Sequence, residues 1–202
     1  QIEIRARAII GADGALSKVA RQCIPGGKTP KFVFAYHEIV RAPEVNADTS
    51  ATSPQGASFD GKRCDVIYRG ETSPDFYCWI FPHGATVSVG TGSANKGFSL
   101  RSAVAAVRRD NGLADMETVR REGAPIPLKP LSRWDNGRNV ILAGDAAGTV
   151  APASGEGIYY AMLGGRLAAD AAEKLLSTGD SRALATARKR FMKDHRRVFF
   201  VL

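Results

Sequence analysis

The sequence predicts a mixed fold, α+β or α/β, in which an antiparallel sheet is inserted between two parts of a strand–helix domain. An alternating strand at residues 2–10 and a short apolar strand at 140–143 each lead through a glycine-containing turn toward a helix. Between them lie four short stretches rich in β-branched and aromatic residues, separated by turn residues, as is typical of antiparallel strands. Two helices with apolar residues at helical spacing follow.

The expected elements follow one another in a simple order. After the first strand, a tight glycine turn within residues 11–21 opens a short helix that carries Ser17 and Arg21. A loop at 42–61, rich in Ala, Ser, Thr, Pro and Asp, separates the first two inserted strands and is expected to be mobile. The inserted strands are predicted at 32–40, 63–69, 76–82 and 86–92, and the longer helices at 99–111, 161–176 and 184–198.

Composition limits the classes of function. The formal net charge of +8 comes partly from basic clusters at 108–109, 120–121 and 188–197. No nucleic-acid recognition module is visible in the sequence, so nucleic-acid binding is not expected. Solvated helix faces, an anionic membrane surface and a phosphate-bearing ligand are the open explanations. Three cysteines without CxxC spacing argue against a disulfide framework, and three scattered histidines predict no metal site.

The first motif with candidate functional groups follows the apolar strand at 140–143. Gly144-Asp145 is succeeded by a loop of small residues and by a helix expected to open near Ser154-Gly155. The strand places the Asp145 carboxylate at its exit, where it can accept hydrogen bonds from sugar-like hydroxyls. The helix start offers backbone N–H groups and the positive end of a dipole. This combination suits a cofactor with a polyol chain and an electron-accepting ring, and an ordinary strand–turn–helix is the alternative.

Gly144-Asp145, with its Ala-Pro-x-x-Gly-x-Gly continuation, resembles the second flavin-binding motif of the p-hydroxybenzoate-hydroxylase-like flavoproteins. The resemblance implies that Asp145 binds the ribityl chain of FAD. It also implies that the helix start points at the flavin ring. The neighbouring residues that it assigns to the cofactor are Gly144, Gly155, Gly157 and Ile158.

The segment 11–21 resembles the Asp-Gly motif of the same flavoproteins, which lies near the cofactor pyrophosphate and the nicotinamide donor. The resemblance implies a cofactor-binding role for Asp13, and a helix-capping aspartate is the alternative. The Gly-x-Gly-x-x-Gly pattern that binds the ADP part of FAD in that family is absent from the sequence. The resemblance therefore implies a fragment that lacks the N-terminal dinucleotide-binding unit.

The second motif is Pro-Asp-Phe-Tyr-Cys-Trp-Ile-Phe-Pro at residues 74–82. Alternate side chains of a strand point to opposite faces, so one face of this segment is aromatic and the other is the core side. The aromatic face consists of Tyr77, Trp79 and Phe81, and the core side of Phe76, Cys78 and Ile80. Ordinary packing is one explanation of the aromatic face.

Pro-x-x-Tyr-x-Trp-x-Phe-Pro matches the signature of the geranylgeranyl reductase family at every fixed position. The residues of this segment are similar to those of the bacteriochlorophyll and chlorophyll branch of the family. In that family the motif lines the isoprenoid cavity, which implies that Tyr77, Trp79 and Phe81 bind substrate. The implied activity is reduction of isolated C=C bonds of a geranylgeranyl chain with FAD and NADPH. The chain would be carried by a pigment or by geranylgeranyl diphosphate. A flavin monooxygenase and a non-catalytic isoprenoid- or pigment-binding fragment are the alternatives.

The resemblance also implies a domain organisation. Residues 1–30 and 135–180 are parts of the FAD-binding domain, 31–134 form the substrate-binding antiparallel sheet with its helices, and 181–202 begin a C-terminal helical region. It implies a cytoplasmic protein, with peripheral association at a photosynthetic, intracytoplasmic membrane suggested by the basic helices and the apolar substrate. No catalytic residue is assigned, since Tyr77 and solvent are both open as the proton donor.

Overall fold

A computed structural model of the chain describes residues 2–43 and 59–200. Most of the predicted loop at 42–61 lies outside the described residues. The strands are β1 (Ile9–Gly11), β2 (Phe32–Arg41), β3 (Asp65–Ile67), β4 (Cys78–His83), β5 (Thr86–Ser93), β6 (Thr118–Pro127) and β7 (Val140–Leu142). The helices are α1 (Lys18–Cys23), α2 (Leu100–Asp110), α3 (Ile158–Thr178) and α4 (Ala185–His195). Across the described ranges, no helix is both long and apolar enough to pass through a bilayer.

The chain divides into two compact units. The terminal unit combines Gln1–Phe32 with Pro125–Leu202, and the sheet unit is Val33–Ala124. In the terminal unit, β1 and β7 pair in parallel, with Ile10 beside Ile141. The core between β7, α3 and α4 is built from small and large apolar residues, and it includes Leu142, Ala168, Phe191 and Trp134. The terminal unit thus contains both the Asp-Gly and the Gly-Asp motif.

The sheet unit is an antiparallel sheet with the order β3-β4-β5-β2-β6. One face is covered by α2, whose Val104 and Val107 pack in a cluster with Cys78 and Ile80. Ser99 caps the start of α2 by accepting a hydrogen bond from the Ser102 backbone N–H. The strand alternation predicted for Cys78 and Ile80 is therefore confirmed, and α2 differs from the predicted helix by one residue at each end.

Two expected boundaries are wrong, and one strand was not predicted. The first strand occupies only Ile9–Gly11 rather than 2–10, because Ile2 and Ile4 are exposed and meet no sheet face among the described residues. The helix expected near Ser154-Gly155 begins at Ile158, because Gly155 has a φ of +67°, which is incompatible with an α-helix. The strand β6 was not predicted, because six of its ten residues are exposed and no apolar face marks it.

Candidate functional site

A short turn that depends on two glycines places Asp145. After β7 the chain forms a 3₁₀ turn at Gly144–Ala147. Gly144 and Gly148 have φ values of +60° and +79°, in the left-handed region that favours glycine. Because β1 and β7 are parallel neighbours, their carboxyl ends lie at one edge, where Asp13 follows β1 and Asp145 follows β7.

No described residue donates a hydrogen bond to the carboxylate of Asp145, although the side chain is partly buried. Burial raises the pKa of this carboxyl above its ordinary value of 3.8. A second polar group of the turn, the Thr149 hydroxyl, is fully buried and has no hydrogen-bond partner among the described residues. The Asp145 carboxylate is therefore available to a ligand that donates hydrogen bonds, such as a polyol.

Glycines bring the start of α3 close to this turn. A Cβ at Gly157, the residue before the helix, would lie 3.1 Å from Val150 Cγ2 and 3.8 Å from Asp145 Oδ1. One donor of the first helical turn is already paired, because the Tyr159 N–H donates to Glu156 Oε1 at 2.8 Å. The predicted residues Gly144, Asp145 and Gly157 therefore lie together. Ile158 begins the helix with a side chain that is 76% exposed.

Asp13 has a different environment from Asp145, since hydrogen bonds saturate its carboxylate. It accepts from the Ser17 hydroxyl and from the backbone N–H groups of Lys18, at 2.7 Å, and Val19, at 3.2 Å. Burial alone would raise the pKa of Asp13, but these hydrogen bonds outweigh it and lower the pKa below 3.8. This arrangement is that of a cap for α1. The cofactor-binding role of Asp13 stays a prediction.

We expect Asp13→Ala to lower the free energy of unfolding by about 1 kcal/mol, as loss of a helix cap does. Because its pKa is lowered, the stabilisation is present above pH 3.8 and is lost as the pH falls through the lower, folded-state value. Thermal denaturation at neutral and acidic pH measures both effects. Asp115→Ala is the control, since the exposed Asp115 has no hydrogen bond to another described residue. Equal melting temperatures for the two variants would contradict the capping role.

The aromatic residues of the second motif form a row on one face of the sheet unit. The ring centroids of Tyr77 and Trp79 are 6.0 Å apart, and those of Trp79 and Phe81 are 6.3 Å apart. Phe76, which was expected on the core side, precedes β4 and stacks on the Tyr77 ring at 4.2 Å instead. The row continues to the edge strand, where the Tyr68 ring lies 5.9 Å from Tyr77 and is largely exposed.

Trp79 is fixed in this row by contacts that no sequence pattern indicates. Its indole N–H donates to the Ser88 hydroxyl at 3.0 Å, and Ser88 Oγ lies 2.9 Å from Nδ1 of His37. His37 Nε2 in turn lies 3.1 Å from a carboxylate oxygen of Glu122. A Cβ at Gly90 would fall 2.1 Å from Trp79 Cζ2, so only glycine admits the indole there. The period-two pattern that placed Trp79 on this face also places Ser88 and Gly90 there, once the β4–β5 register is known.

Comparison with known proteins relates these features to a family. Residues 1–193 match the model of a family described as FAD binding domain. A geranylgeranyl diphosphate reductase from Rhodobacter capsulatus is 50% identical over 202 residues, which are 100% of this chain and 49% of that protein. A protein of the same name from Synechocystis is 37% identical over 166 residues, 80% of this chain and 37% of its own length. The chain thus spans half or less of the length of these relatives.

Two solved structures show the same fold. A geranylgeranyl bacteriochlorophyll reductase-like protein from Thermoplasma acidophilum has a TM-score of 0.78 at 21% identity, with 96% of this chain and 49% of that chain covered. A probable FAD-dependent monooxygenase from Pseudomonas aeruginosa has a TM-score of 0.62 at 19% identity, with 96% and 53% covered. The predicted fold class is confirmed. Because proteins of both kinds share this fold, the fold alone does not select an activity.

Proposed function

Because this chain belongs to the FAD-binding domain family, we propose that the protein is an FAD-dependent reductase that saturates isolated C=C bonds of a geranylgeranyl chain. The observation that carries the proposal is the aromatic row of Tyr77, Trp79 and Phe81. It lies in a chain that is 50% identical over its whole length to a protein named geranylgeranyl diphosphate reductase. An isoprenoid has almost no polar group, so apolar surface is what can orient it.

The residues of the Gly-Asp turn fit the ribityl part of FAD. The Asp145 carboxylate can accept hydrogen bonds from ribityl hydroxyls, and the absence of a Cβ at Gly157 leaves the start of α3 open beside it. The α3 N-terminus favours negative charge on a ring placed there. When bound, FAD supplies hydride-transfer chemistry. Gly144, Gly155 and Ile158 complete the proposed cofactor set.

The sheet unit would bind and orient the substrate. The Trp79 indole, which is buried in the sheet unit, packs over Gly90 and donates to Ser88, so it is held in one orientation. Tyr77, just before β4, and Phe81, within it, extend the aromatic row on either side of Trp79. Such preorganisation matters because small misplacements of a reacting bond are costly.

The proposal also covers the electron and proton donors, the carrier of the geranylgeranyl chain and the location of the protein. NADPH as the electron source is supported by the resemblance around Asp13, and Tyr77 or solvent would deliver the proton. The geranylgeranyl chain would be carried by bacteriochlorophyll, by chlorophyll or by a diphosphate. Peripheral membrane association from the cytoplasmic side is supported by the basic helices and by the apolar substrate.

The test is anaerobic turnover by the whole protein with FAD, NADPH and either geranylgeranyl diphosphate or geranylgeranyl-bacteriochlorophyll. We expect the product mass to rise by one hydrogen molecule for each reduced bond, with NADPH consumed in proportion. Incorporation of labelled oxygen in air, without alkene reduction, would favour a monooxygenase and contradict the proposal. A protein that binds the isoprenoid but neither FAD nor NADPH would be a non-catalytic carrier and would also contradict it.

A further inference from the structure

The terminal unit contains a cavity of about 700 Å³ that is lined by neither the Gly-Asp turn nor the start of α3. Its walls are residues 132–135 and one side of α4. Five of the lining side chains are cationic and one is a carboxylate. We call this cavity the basic groove, and its charged residues are Arg133, Arg188, Lys189, Lys193, Arg196 and Asp135.

Some cationic side chains of α4 have a carboxylate partner among the described residues and others have none. Arg190 does not line the groove, and it pairs with Asp170 at 3.2 Å. Within the described ranges, no carboxylate forms an ion pair with Lys189, Lys193 or Arg196. Among the described residues, Lys189, Lys193 and Arg196 therefore lack the carboxylate partner that Arg190 has.

This arrangement is unfavourable for an isolated helix. Lys189 and Lys193 are four residues apart on one helical face, and like charges at this spacing repel. Lys189 lies near the middle of α4, where the helix dipole does little to offset this repulsion. Only Lys193 and Arg196, near the C-terminal end, are placed as the dipole prefers. An anion in the groove would relieve the repulsion.

The floor of the groove does not supply that anion. Asp135 is buried, and its carboxylate accepts a hydrogen bond from the Gly137 N–H at 2.9 Å. It makes no ion pair with the groove cations, which thus outnumber the one local carboxylate. The indole Nε1 of Trp134, another lining residue, is a buried donor without an acceptor among the described residues. The groove therefore offers an excess of positive charge, carried by the N–H donors of its lysine and arginine side chains.

We propose that the basic groove binds a phosphate group, either as a free diphosphate or as the headgroup of an anionic phospholipid. A phosphate carries several acceptor oxygens, which match two lysines and the guanidinium groups of Arg133 and Arg196. Arg188 is anchored by its Nε, which donates to the Leu131 carbonyl at 3.0 Å, so its terminal nitrogens face a fixed direction. The proposal does not depend on the reductase activity, because no groove residue belongs to the flavin turn or to the aromatic row.

The test compares two double variants with the same change in charge. Lys189→Gln/Lys193→Gln alters the groove, whereas Lys62→Gln/Lys96→Gln alters exposed lysines of the sheet unit. Binding of inorganic pyrophosphate is measured by calorimetry on the whole protein. Flotation at low salt with phosphatidylglycerol-containing vesicles, and with pure phosphatidylcholine vesicles, tests the headgroup. Melting temperatures of both variants establish that they are folded.

We expect the groove variant to lose about tenfold in affinity for the probe that binds, and the control variant to match the parent protein. Binding of pyrophosphate alone identifies a free phosphate as the ligand. Binding of anionic vesicles, with pyrophosphate as competitor, identifies a lipid headgroup. The proposal is overturned if the parent protein binds neither probe. It is equally overturned if both variants weaken binding to the same extent, which would show a general effect of net charge.

Discussion

Asp145→Asn should remove FAD from the protein and, in the cofactor-free form, raise the melting temperature. Asparagine keeps the shape of the side chain but lacks the charge that strengthens hydrogen bonds from ribityl hydroxyls. Hydrogen bonds to charged groups contribute about 1.5–3 kcal/mol, so FAD should bind at least about tenfold more weakly. The ratio of flavin to protein after gel filtration, and a calorimetric FAD titration, measure this loss.

The gain in stability follows from the environment of the carboxylate. Burial raises the pKa of Asp145 in the folded protein above 3.8, so the unfolded chain gives up this proton at lower pH than the folded one. The stability of the cofactor-free protein therefore falls as the pH rises through the raised pKa. The variant lacks this loss, and its advantage should appear at neutral pH and vanish below pH 3.8.

Asp115→Asn serves as the control for both measurements, because Asp115 is exposed and makes no hydrogen bond to another described residue. It should leave the flavin content and the melting temperature unchanged. An Asp145→Asn protein that retains stoichiometric FAD would remove Asp145 from the cofactor site. A lowered melting temperature without FAD would show that the carboxylate has a structural partner.

Trp79→Ala should lower the rate of geranylgeranyl reduction by about tenfold or more, while the flavin content and flavin reduction by NADPH stay near normal. The change removes a large apolar side chain whose burial is worth about 2–3 kcal/mol. It also frees the space over Gly90, so the alkene would lose its defined position. Trp79→Phe keeps a ring but not the hydrogen bond to Ser88, and should have a smaller effect.

Trp134→Ala is the matched control, since Trp134 is the other tryptophan and packs on Phe191 in the core of the terminal unit. It should lower the melting temperature and release flavin together. If Trp79→Ala behaves in the same way, Trp79 is a core residue and not a substrate contact. A stable, FAD-loaded Trp79→Ala enzyme with unchanged alkene reduction would exclude the aromatic row from the substrate site.

Local chemistry made several features predictable from sequence. Tyr77, Trp79 and Phe81 share a face because strand alternation needs no knowledge of the partner strands. The extent of α2, to within one residue at each end, follows from the apolar spacing of Leu100, Val104 and Val107. The resemblance to geranylgeranyl reductases rests on fixed motif positions, and the 50% identity to a protein of that name over the full chain confirms it.

Features that depend on distant pairing could not be predicted. Ser88 meets His37 only because β5 pairs with β2 in one register, and His37 meets Glu122 only because β6 lies beside β2. No pattern in the sequence therefore predicts hydrogen bonds among these side chains. The hydrogen bonds to Asp13, and the absence of a described donor to Asp145, depend on local backbone geometry that the sequence motifs do not specify.

The parallel pairing of β1 with β7 has a consequence for the order in which the chain acquires structure during translation. Val33–Ala124 is continuous, and its hairpin of β4 and β5 joins neighbours in the chain, so the sheet unit can form as soon as it has left the ribosome. By contrast, β1 is made early, and its parallel partner β7 follows only when residues 140–142 are synthesised. Closing such a long loop is entropically costly and slow. The β1–β7 pair is therefore completed only after the sheet unit has been synthesised, so the terminal unit is expected to reach its final structure after the sheet unit.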